Sequence, residues 1–176
     1  GATSMLPTFV KDVELRLQDF EDCMILRNTL ETSDVTGGGS ELFLYQSGYL
    51  TIKSCQGNIY HLGFPNEEVK QALYECVLPA LTLRQEADTQ SLQAQVYQYL
   101  EFKELGKAMK AIKALVADVP YSNKKLASMN MEERYRLIIS TILNSVGLRV
   151  EVERMISTGR IDLVVTTSHY IYVIEL

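Results

Sequence analysis

The chain lacks a membrane-crossing signal. No apolar run is long enough to span a bilayer. The N-terminus has no basic region followed by an apolar stretch, so no signal peptide is read there. The residues before Met5 read either as an added tail or as the end of a preceding domain. Cysteine is scarce: Cys23, Cys55 and Cys76 are odd in number, far apart and outside any C-x-x-C pair. That argues against a disulfide framework or a thiolate zinc site and points to reduced thiols in a cytoplasmic protein. His61 and His169 show no metal-ligand spacing and read as ordinary surface or strand-end histidines. Positive charge is in deficit. A formal net charge of −5 counts against a general nucleic-acid-binding surface. It is compatible with a site that holds metal ions through carboxylates. No G-x-x-x-x-G-K-[ST] phosphate-binding loop occurs.

What is present suits an ordinary core. At 176 residues and 47% hydrophobic, the chain has room for one large or two small domains and is too apolar for disorder. Phe9, Val13, Leu17 and Phe20 recur at helical steps and predict a helix from Pro7 to about Arg27. Thr36-Gly-Gly-Gly-Ser40 is a flexible connection, either an engineered linker or a natural glycine turn. Leu42 to Ile52 leads into a strand, Ser54 to Asn58 turns, and Ile59 to Leu62 returns as a hairpin. Asn66 is placed to cap a helix that Glu67 and Glu68 favour at its positive end. Helices follow over about Gln90–Leu100 and Phe102–Val116, with Pro120 ending the run. Lys103, Lys107, Lys110 and Lys113 form a basic stripe there, followed by Lys124 and Lys125. Such a stripe is more often a solvated face than a track for nucleic acid. A last helix runs over about Met131–Val146, with Met131, Tyr135, Ile138, Ile142 and Val146 on one stripe and Gly147 closing it. Three strand candidates end the chain: Arg149–Met155, Arg160–Thr166 and Tyr170–Leu176.

The chemistry concentrates in those strands. A tight turn at Ser168-His169 sets Asp162 opposite Glu175 on one face, with Cβ atoms about 4.5–5.5 Å apart. Two facing carboxylates among Ile161, Leu163, Val164, Ile174 and Leu176 need compensation. A shared proton is one solution and a divalent cation another. Mg²⁺ suits because it takes one or two carboxylates and keeps several waters. The alternative is a surface pair on a half-exposed sheet. If the preceding turn centres on Ser157-Thr158, Glu153 also faces Asp162, or else is a solvated strand-edge charge.

Gly159-Arg-Ile-Asp-Leu-Val-Val165 followed by Tyr170-Ile-Tyr-Val-Ile-Glu-Leu176 resembles the core of PD-(D/E)XK nuclease domains. Asp162 matches the aspartate, Glu175 the glutamate of E-x-K, and Ile161 stands where the family often has proline. The matching lysine would be residue 177. Leu44–Ile52, Tyr60–Val69 and Glu133-Arg-Tyr135 extend the resemblance to bacterial AAA-ATPase-like proteins that carry such a domain.

The resemblance implies an α+β fold. Residues 1–84 would be a helical and β-hairpin linking domain, with a winged-helix-like unit as one reading. Residues 85–120 would be a helical connection, and 121–176 a partial nuclease-like core of one helix and a three-stranded antiparallel sheet. It implies metal-dependent hydrolysis of nucleic-acid phosphodiesters in the cytoplasm. Asp162, Glu175 and the backbone carbonyl of Leu176 would hold Mg²⁺, and Glu133, or its neighbour Glu132, would assist from the helix. These residues alone would then be inactive. A non-catalytic module that binds DNA or protein is the alternative. Tyr170–Leu176, apolar and with one charge, is expected to pair at its edge with a second copy.

Overall fold

A computed structural model describes residues 17–31, 39–82, 86–117, 119, 129–157 and 159–176. The fold is α+β, divided into two compact units, Gly1–Leu73 and Tyr74–Leu176. Among the described residues no helix is long and apolar enough to cross a membrane.

In the first unit, Leu17–Glu21 forms a 3₁₀ turn that buries Leu17 and Phe20. Strand β1 (Cys23–Leu26) follows, then a single helical turn α1 (Arg27–Leu30) and helix α2 (Gly39–Gln46). The sheet is completed by β2 (Thr51–Gln56) and β3 (Ile59–Gly63), in the antiparallel order β1-β3-β2. Leu42 and Leu44 of α2 and Leu62 of β3 are fully buried. At Gly63 a Cβ would lie 2.7 Å from the Glu21 carbonyl oxygen, so the end of β3 has no room for a larger residue. The Cys23 thiol is pushed up to about 11 by burial, with the nearby Glu41 carboxylate adding to the effect.

Two sequence expectations change here. The helix predicted over Pro7–Arg27 is, in its described part, a 3₁₀ turn and strand β1. Phe9 and Val13 lie outside the described residues. Cys-Met-Ile-Leu is a short apolar run that fits either period, and pairing of Cys23 with Leu62 and Leu26 with Ile59 selects the strand. Leu42–Gln46, expected to lead into a strand, is instead the body of α2. Its C-terminus explains why. Gly48, at φ 82°, donates to Tyr45 O, and Tyr49 donates to Leu44 O at 2.9 Å. This is a Schellman cap, which ends a helix and does not open a strand.

Helix α3 (Glu67–Thr82) begins as read: the Asn66 Oδ1 accepts from the Val69 N–H at 2.9 Å. In the second unit, α4 (Glu86–Glu101) and α5 (Leu105–Ala117) form a helical hairpin. Lys103, at φ 59°, sits in its turn, where the Lys103 N–H reaches Leu100 O and the Glu104 N–H reaches Tyr99 O. This too is a Schellman cap, with lysine in the place glycine favours. The basic stripe is therefore broken. Lys103 lies outside α5 with its ammonium 5.7 Å from the Tyr170 ring, and Lys107 pairs with Glu104 at 2.8 Å. Lys110 and Lys113 stay exposed on α5, and Lys124, Lys125 and Pro120 lie outside the described residues.

Helix α6 (Met131–Ser145) is capped by Asn130, whose Oδ1 accepts from the Glu133 N–H at 2.8 Å. Gly147 ends it at φ 75°, with Leu148 donating to Leu143 O. Arg136 and every residue from Leu137 to Ser145 are buried, so α6 is wrapped nearly all round past its first turn. Three antiparallel strands follow in the order β4-β5-β6: Arg149–Ile156, Gly159–Thr166 and Ile171–Ile174. Asp162 through Val165 of the central strand are all buried, so both faces of β5 are covered.

The turn between β5 and β6 is clasped by α4. Glu101 Oε1 accepts from the Ser168 N–H at 2.9 Å, His169 Nδ1 lies 2.9 Å from Glu101 Oε2, and Tyr172 donates to Leu100 O at 2.6 Å. The Ser168 N–H, with His169 adding to it, holds the Glu101 carboxyl below its ordinary 4.5. A depressed carboxylate contributes stability above its unfolded value and loses it as pH falls through the folded one. Lowering the pH below 4.5 is therefore expected to lower the protection of the Ser168 amide, measured against its intrinsic exchange rate at each pH. Glu101→Gln should abolish that acid step. An identical pH profile for the two proteins, read by hydrogen-exchange NMR, would rule the clasp out.

Candidate functional site: a carboxylate cluster closed by Arg136

The β5–β6 register runs from Thr166↔Ile171 to Leu163↔Ile174. Ladder and strand β6 both end at Ile174, one residue short of the Asp162–Glu175 pair expected from the turn at Ser168-His169; the register up to that point is the one that expectation requires. On the other side, Val152↔Leu163 and Arg154↔Ile161 flank Glu153 and Asp162, so Glu153 falls opposite Asp162. The regular pairing lapses at that position. Glu153 has φ 54°, a left-handed conformation that a non-glycine residue adopts at a cost of about 1–3 kcal/mol. The register is the same on either side of it.

Asp162 is only 6% exposed. A carboxylate at that depth requires a counter-charge or several hydrogen bonds. It has both. Its Oδ2 accepts from the Leu176 N–H at 2.9 Å, and its Oδ1 lies 3.2 Å from Arg136 Nη2. The same guanidinium bonds Glu132 through Nη2 and Glu153 through Nη1. Arg160 joins from β5, with Nη1 3.3 Å from Glu153 and Nη2 3.8 Å from Glu132. Three carboxylates from α6, β4 and β5 thus surround one buried guanidinium. Among the described residues, Arg136 Nε is the buried side-chain nitrogen that lacks a partner.

The remaining candidates separate from this cluster. Glu175 is exposed, and among the described residues no ion pair engages its carboxylate. Glu133 is exposed on the first turn of α6, and it is the neighbouring Glu132 that reaches Arg136. Among the described residues no group of three His, Cys, Asp or Glu side chains is arranged to hold a metal ion. His61 Nδ1 lies 3.2 Å from Asp22, away from these carboxylates in sequence and in unit. A recess of about 100 Å³ between the end of α5 and the start of α6 is lined by Val119, Met131, Tyr135 and Ile138. Asp162 does not line it.

Arg136 is the residue that sequence reading misses. The one available signal is Glu132 four residues ahead of it, the favourable spacing for a helical ion pair. That spacing is common on solvated faces and does not say that the arginine is buried.

No family model matches the chain, and no solved structure matches it significantly. It is 29% identical over 186 residues to an uncharacterized protein encoded in the vnfD 5′ region of Azotobacter chroococcum mcd 1. The match covers 96% of this chain but 34% of that protein. The chain therefore spans about a third of the length of this bacterial relative.

Does a divalent cation suit these donors? Asp162 lies at the end of the β5–β6 pairing and Glu175 directly follows β6, and together they would supply the one or two carboxylates Mg²⁺ needs beside its waters. One of the Asp162 oxygens, however, already meets a guanidinium. The donor set fits, provided that Arg136 gives way.

Proposed function

We propose that the chain is part of a metal-dependent hydrolase of nucleic-acid phosphodiesters. Asp162 and Glu175 would hold Mg²⁺, with the Leu176 carbonyl as a further donor and Glu133 or Glu132 assisting from α6. A bound Mg²⁺ supplies an activated water and charge stabilisation at the phosphodiester. The observation that supports this reading is a buried Asp162 one residue beyond the last β5–β6 pair, Leu163↔Ile174, so that the same register carried one step further would bring Glu175 opposite it. The resemblance of the α6–β4–β5–β6 order to PD-(D/E)XK cores supports it. In this reading the residues of the chain divide the work. Asp162, fixed by the Leu176 N–H, is the rigid carboxylate, and the exposed Glu175 is the adaptable one.

A second reading is a non-catalytic interaction module, in which Arg136 simply neutralises Asp162 for good. The first unit adds to it, because two helices between β1 and β2 and the sheet order β1-β3-β2 are similar to a winged-helix arrangement. Strand β6 would then serve as an edge for a partner strand, including one from a second copy.

The full natural-length protein separates the two. With Mg²⁺ or Mn²⁺ it is expected to cut single-stranded DNA, duplex DNA or RNA, and Asp162→Asn should reduce that rate on the order of a hundredfold or more. Absence of cleavage together with no calorimetric binding of either ion would leave the interaction module.

A further inference from the structure

Three carboxylates, Glu132, Glu153 and Asp162, stand near one another at this sheet end, yet the cation already present among them is an arginine. Arg136 has a side chain 9% exposed, so its charge is held inside the fold and not in water. Its three ion pairs are not equivalent. Nη1 is directed to Glu153 and Nη2 is shared between Glu132 and Asp162, with the Asp162 contact, at 3.2 Å, the longest of the three. Asp162 is also the one acid of the three with a second donor of its own, the Leu176 N–H. Releasing Asp162 would leave the guanidinium bonded to Glu132 and Glu153. The buried Nε without a partner indicates that the pocket does not satisfy arginine completely. A guanidinium that fits three acids but leaves one buried N–H unmet is poised to shift.

We infer that Arg136 is an internal competitor for the cation: it neutralises Asp162 in the cation-free protein and must release Asp162 Oδ1 when a divalent ion binds Asp162 and Glu175. The inference rests on the metal reading above. Its physical basis is charge. A guanidinium 3.2 Å from a ligand oxygen both occupies that oxygen and repels an incoming cation. Arg136 retreats onto Glu132 and Glu153 as the ion arrives, and returns when it leaves. Arg160, already 3.3 Å from Glu153, limits how much positive charge those two acids can take up. Cation affinity is therefore set by how strongly Arg136 holds Asp162.

The test is Mn²⁺ titration calorimetry on the full-length protein, with melting curves in Mn²⁺ and in EDTA. Arg136→Gln is expected to bind Mn²⁺ at least about tenfold more tightly than wild type. Its melting temperature should also rise more on adding Mn²⁺. Arg136→Lys, which keeps the charge, should stay near wild type, and Asp162→Asn should bind none. Equal or weaker binding by Arg136→Gln, with wild type still binding, would overturn the competition and leave the metal reading standing. If neither protein takes up Mn²⁺, the metal reading fails and this inference with it. Should Arg136→Gln not fold, Mg²⁺ titration of wild type followed by arginine side-chain NMR decides. The Arg136 guanidinium signals are expected to move as the site fills, and unmoved signals at calorimetric saturation would overturn the proposal.

Discussion

Arg136→Met is expected to lose about 3–5 kcal/mol of stability in the unit that carries α6 and the β4–β6 sheet. Methionine fills much of the same space, so the loss is electrostatic more than steric. It leaves Asp162, 6% exposed, with the Leu176 N–H as its remaining donor among the described residues, and removes the cation shared by Glu132 and Glu153. A loss of that size corresponds to a melting temperature lower by more than about 10 °C in a unit of roughly a hundred residues. The pairing can be tested in the other direction. Breaking one partner of a buried pair costs more than removing both, so adding Asp162→Leu to Arg136→Met should recover part of the loss. Urea denaturation of the single and double variants checks both statements. A single variant within about 0.5 kcal/mol of wild type would mean that the guanidinium is effectively solvated.

Leu163→Ala is expected to cost about 2–5 kcal/mol. Leu163 is fully buried and stands mid-strand in β5, paired with Val152 on one side and Ile174 on the other. Removing its side chain leaves a cavity in the layer that fixes the height of Asp162, its immediate neighbour. Val173→Ala on β6 is the contrast. Val173 is 58% exposed, and its truncation should cost under about 1 kcal/mol. Similar losses for the two, again by urea denaturation, would mean that the β5–β6 pair is not buried as described.

The second unit was legible because local signals and tertiary structure agree there. Gly147 ends α6 as its place after the apolar stripe predicts, and the short turn at Ser168-His169 left one register for β5 and β6. The first unit was less legible because its signals compete. Cys23–Leu26 has no period of its own and takes its conformation from β3. In Leu42–Gln46, aromatic and apolar residues suggested a strand, while Gly48 two residues on carried the helix-ending signal. The candidate site divides in the same way. The β5–β6 register that ends next to Asp162 follows from counting along a hairpin. The guanidinium beside Asp162 depends on which face of α6 meets the sheet, and no count along one element reports that.

The left-handed backbone at Glu153 gives the β4–β5–β6 sheet two unlike borders. Along β4 the regular pairing is interrupted at that residue, and Arg149, Glu151, Glu153 and Arg154 crowd it with charge. Both devices discourage an incoming strand. Along β6, Ile171 and Val173 stand exposed with neither an interruption nor a charge between Ile171 and Ile174. The sheet is thus directional as a template. Were a strand to extend the described sheet, as the edge pairing read from the sequence would require, β6 is the less protected border, and Glu175 directly follows that strand. Assembly and access to that carboxylate would then be governed by one and the same border.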